Sequence, residues 1–100
     1  MSNDLVHLLS EDRRLILLRI LEKAPGCEAN HYLLREAIST LGHNVSHDVV
    51  LSELSWLAEQ GLLTVEVLDS MSIAYLTGRG LDVALGHATV PGVKKPVPGE

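Results

Sequence analysis

The stretch VSHDVVLSELSWLAEQG, residues 45–61, limits what this chain can fold into more than any other. Ser46 offers a side-chain cap for a helix start, and Asp48 suits the positive end of the dipole behind it. Val50, Leu54 and Leu57, helped by Leu51 and Ala58, fall at helical spacing, and Gly61 supplies the stop. A helix with one apolar stripe must bury it against other elements. The flanking sequence therefore has to provide them.

Upstream, Tyr32, Leu33, Ala37, Ile38 and Leu41 repeat at near-helical spacing over residues 31–41, with Asn30 as N-cap and Gly42 as C-terminal stop. His43, Asn44 and Val45 leave only a tight connection to the central helix. That spacing is the spacing of a helix-turn-helix. Downstream the period changes: LLTVEVL (62–68) and SIAYL (72–76) are β-rich runs around a short polar turn, which predicts a hairpin. Thr77 then caps a last helix carrying Leu81, Val83, Ala84 and Leu85, weakened by Gly78 and Gly80 in its first turns.

At the other end, residues 1–9 read as a lead-in, and Ser10 with Glu11 and Asp12 as the start of a first helix that stops at Ala24-Pro25-Gly26. Cys27, Glu28 and Ala29 form a few extended residues, and the segment 88–100, rich in Pro and Gly, is an extended or disordered tail. The expected fold is mainly α with a small β-hairpin. It is a winged helix-turn-helix of three helices, a two-stranded wing and a closing C-terminal helix, in one domain over residues 10–87.

The first helix is unusually apolar, since Leu15, Ile16, Leu17 and Leu18 are consecutive and Ile20 and Leu21 follow. That run covers most of the helix circumference. Either the lead-in and last helix wrap it, or a second subunit does. A homodimer is expected, with Leu15, Ile16, Leu18 and Trp56 as its interface candidates. The lone Cys27 excludes an internal disulfide and suits a reduced, cytoplasmic setting in a bacterial host. No window is apolar enough for a membrane span, and no signal peptide is apparent.

Local phrases carry a resemblance. LSELSWLAEQGLLTVE resembles the recognition-helix-to-wing segment of MarR-, PadR- and ArsR-like regulators, and YLTGRGLDVALG their last strand and closing helix. SEDRRLILLRILEKAPG, WLAEQGLLTVE, LTGRGLDVA and the VPGVKKP tail together resemble a small family of Mu-like phage proteins of winged-helix fold. The resemblance implies a phage or prophage origin and a transcription-regulatory or DNA-binding module.

The charge pattern pulls the other way. In a helix-turn-helix the start of the second helix reads base edges. The candidates here are Asn44, Ser46, His47, Ser52 and Ser55, without the Arg or Lys that guanine contacts favour. Residues 36–77 hold no Lys or Arg, while Glu36, Asp48, Glu53, Glu59, Glu66 and Asp69 lie within them. The chain as a whole is at net charge −5. Phosphate neutralisation would fall to cations elsewhere, with Arg13, Arg14, Lys94 and Lys95 as candidates. The alternative is an adaptor or phage assembly accessory protein that contacts a phage or host protein through an acidic face. Catalytic, metal and cofactor sites are not expected: there is no nucleophile elbow, no Gly-rich phosphate loop, and no ligand cluster at metal spacing.

Overall fold

The computed structural model describes residues 2–97. Helix α1 spans Ser2–Lys23, strand β1 Glu28–Asn30, helix α2 His31–Thr40 and helix α3 His47–Glu59. Strands β2 (Leu63–Leu68) and β3 (Met71–Leu76) and helix α4 (Gly78–Ala84) complete the chain. Three helix starts follow the caps legible in the sequence. The side chains of Asn30, Ser46 and Thr77 accept from the backbone N–H groups of Leu33, Val49 and Gly80.

The sheet is three-stranded and antiparallel, in the order β1-β3-β2, and so differs from the expected two-stranded wing. The additional strand is the short segment after Cys27, which places Glu28 opposite Tyr75 and Asn30 opposite Ile73. Three residues carry no readable period, so only pairing with β3 defines them as a strand. Gly26 and Cys27 both take left-handed backbone conformations (φ 68° and 54°), which turn the chain from α1 into β1.

One other expectation is corrected. Ser10 is not a cap: α1 already runs from Ser2, and no Pro or Gly interrupts it. The tail residues 88–97 form no regular element, yet they are fastened to the body. Val90 and Val93 are buried, and the Lys94 N–H donates to the Glu11 carbonyl at 3.1 Å. The initial Met and residues 98–100 lie outside the described residues.

The core lies between the helices and one face of the sheet. Leu15, Leu17, Leu18 and Leu21 of α1 meet Leu34 and Ile38 of α2, Leu54 and Leu57 of α3, and Ala74 of β3. Gly80 belongs to this packing rather than weakening it. A Cβ there would collide with the Leu62 carbonyl, which also accepts from the Thr77 N–H at 3.2 Å. Only glycine lets α4 close that tightly on the end of α3. Among the described residues no helix is long and apolar enough to cross a membrane.

Candidate interaction surface

The corner between α2 and α3 is built from short-range bonds. Ser39 Oγ donates to Asn44 Oδ1 at 2.7 Å, which shapes the connection. Arg35 Nε donates to the Val45 carbonyl at 2.8 Å, and its Nη1 lies 3.4 Å from His47 Nε2. The Tyr32 and His47 rings meet edge to face at 5.0 Å, and His31 stacks at a tilt on Tyr32 at 4.1 Å. His31 is itself buried, and its Nδ1 accepts from the Ser72 N–H, tying α2 to β3.

The result is a polar concavity lined by Tyr32, Arg35, Glu36, Ser39, Asn44, Val45, Ser46 and His47. It brings together the sequence candidates Asn44, Ser46 and His47. It adds Arg35 and Tyr32, the latter read in the sequence only as part of the apolar repeat of α2. His47 Nδ1 is buried there with no hydrogen-bond partner among the described residues. Ser52 and Ser55 stand apart from it, exposed along α3 with Asp48 and Glu59. The β2–β3 turn exposes Val67, Leu68 and Asp69.

The candidate cations Arg13 and Arg14 are elsewhere. Both reach Glu53, Arg13 through Nη1 and Arg14 through Nε, each at 2.8 Å. Arg14 also donates to the Gly92 carbonyl at 2.9 Å and lies 4.0 Å over the Trp56 ring. A Cβ on Gly92 would sit 2.6 Å from that ring, so the tail passes directly against it. Glu53, counted in the sequence as part of an exposed acidic face, is 5% exposed. Burial of a carboxylate requires partners, and both arginines are committed to it.

Lys94 Nζ lies 3.4 Å from Asp12 Oδ1, and His43 Nε2 lies 2.7 Å from Asp12 Oδ2. Burial pushes the Asp12 carboxyl up, but the hydrogen bonds and charges of His43 and Lys94 outweigh it, leaving Asp12 below the usual carboxylate value. Lys95 is exposed. Of the proposed dimer residues, Leu15 and Leu18 are 1% and 0% exposed and belong to the protomer's own core. Trp56 is covered by Arg14 and the tail, and Ile16 is half-buried. Among the described residues no group of three or more His, Cys, Asp or Glu is arranged to hold a metal ion.

No family model matches the sequence. The chain is 50% identical over 98 residues to the uncharacterized protein gp26 of Escherichia phage Mu, covering 98% of both chains. It is 44% identical over 75 residues to an uncharacterized protein of Haemophilus influenzae, covering 74% of this chain and 72% of that one.

Proposed function

The chain belongs to the family of phage Mu gp26, and on that footing we propose that it is a non-enzymatic winged-helix protein that docks a protein partner. The element order, with a short strand between the first two helices that joins the later hairpin through β3, supports the winged-helix reading. The partner-facing surface in this reading is the outer side of α3 with the β2–β3 hairpin. It presents Asp48, Glu59, Glu66 and Asp69 beside exposed Val65, Val67 and Leu68. Such a surface suits a partner with basic and apolar side chains.

The observation that carries this reading is the inward commitment of Arg13 and Arg14 to Glu53. Spent on Glu53, they add no charge to the outer side of α3 and the hairpin, which carries Asp48, Glu59, Glu66 and Asp69 and no Lys or Arg. DNA affinity draws most of its non-specific strength from cations set against phosphates. A second reading, duplex DNA bound in a regulatory role, is favoured by one feature: Arg35 beside the N-terminus of α3, where backbone N–H groups also suit a phosphate.

Titration of the full chain with labelled duplex DNA, from about 50 mM salt upward, separates the two. The docking reading expects no binding with steep salt dependence. Tight binding that Arg35→Ala abolishes would overturn it in favour of DNA. A photo-crosslinking residue placed at Ser55 or Val67 during phage growth should trap a protein, and trapping DNA instead would overturn the reading as well.

A further inference from the structure

At its N-terminal end α1 runs past its own protomer. At 1.5 Å per residue its 22 residues span about 33 Å, in a molecule of 39 × 29 × 24 Å. Residues 4–9 are exposed all round, and among them Leu5, Leu8 and Leu9 are 58%, 62% and 44% exposed. An apolar cluster left open on a projecting helix end marks an interaction site.

What fits it lies further along the same helix. At 3.6 residues per turn, Leu5 and Leu9 share one side of α1 with Ile16 and Ile20, and Lys23 is in line with them. That side becomes the floor of a groove of about 470 Å³, walled by Leu41 from the end of α2. The volume is large enough to take several side chains. Arg19, Lys23 and Lys94 stand around the groove with Asp12, so its rim is mainly basic.

Leu5, Leu9 and the floor of the groove therefore occupy one side of one helix, at its opposite ends. Such a face is complementary to itself under a two-fold axis. Two antiparallel α1 helices set the first turns of each over the groove of the other, and oppose their dipoles favourably.

We infer that the protein is a two-fold homodimer in which Leu5 and Leu9 of each copy seat over Ile16, Ile20 and Leu41 of the other. The inference is independent of what α3 and the hairpin bind.

Sedimentation and light scattering of the full chain test it. The expected result is a dimer at micromolar concentration that Leu5→Lys/Leu9→Lys converts to monomer, with helix content retained because neither side chain is in the core, and with a melting temperature that no longer depends on protein concentration. A wild-type chain that is monomeric up to high micromolar concentration overturns the inference. So does a Leu5→Lys/Leu9→Lys variant that still dimerises.

Discussion

The two halves of α1 have similar apolar content and opposite fates. Residues 15–21 place Leu15, Leu17, Leu18 and Leu21 wholly inside the fold, against α2, α3 and the sheet. Residues 5–9 place Leu5, Val6, Leu8 and Leu9 outside it. Between them stand Arg13 and Arg14, turned onto Glu53, and Asp12, held by His43 and Lys94. An apolar excess on a helix therefore tells that something covers it, but not which turns are left for a partner. That depends on where the rest of the chain has already packed.

The sharpest way to break the contrast is to remove the ion pairs at its boundary. Glu53→Ala leaves two arginines without their carboxylate in a part-buried site, and should cost about 3–5 kcal/mol in chemical denaturation. A loss below about 1 kcal/mol would mean that Arg13 and Arg14 simply turn out to water and are free to act elsewhere. Next, Leu18→Ala in the buried half should cost about 2–5 kcal/mol, whereas Leu8→Ala in the exposed half should leave protomer stability within about 0.5 kcal/mol. Equal losses for the two would erase the distinction between the halves.

The smallest effect is set by pH. The folded state holds the Asp12 carboxyl below its ordinary value, so the stability it contributes is present above the unfolded carboxylate range. That contribution is lost as pH falls through the lowered folded value. Asp12→Asn should flatten the acid limb of the stability profile in that window, measured by urea unfolding at a series of pH values. An unchanged acid limb would mean that the contacts of Asp12 with His43 and Lys94 add nothing to the fold.

Much of the architecture was legible because it is written locally. Asn30, Ser46 and Thr77 announce their helices through bonds to residues three positions on, and the hairpin shows in the change of period after Gly61. What escaped was written at long range. Strand β1 exists only through its pairing with residues 73–75, more than forty positions away. Ser10 resembled a cap because a Ser before two acids has the same composition inside a helix as at its start. Glu53 was counted as surface because isolated carboxylates usually are, and its partners lie 39 and 40 residues upstream. Arg35 precedes the helix whose N-terminus it serves, and only the tight turn brings it back.

The passage of the tail over Trp56 has a practical consequence. The chain has one tryptophan, and its ring is held between the Arg14 guanidinium and the backbone at Gly92. Its emission is therefore an unlabelled optical reporter of that single clasp. If the tail lifts off while the helices stay folded, the indole gains water on one face, and its spectrum changes before any loss of circular dichroism.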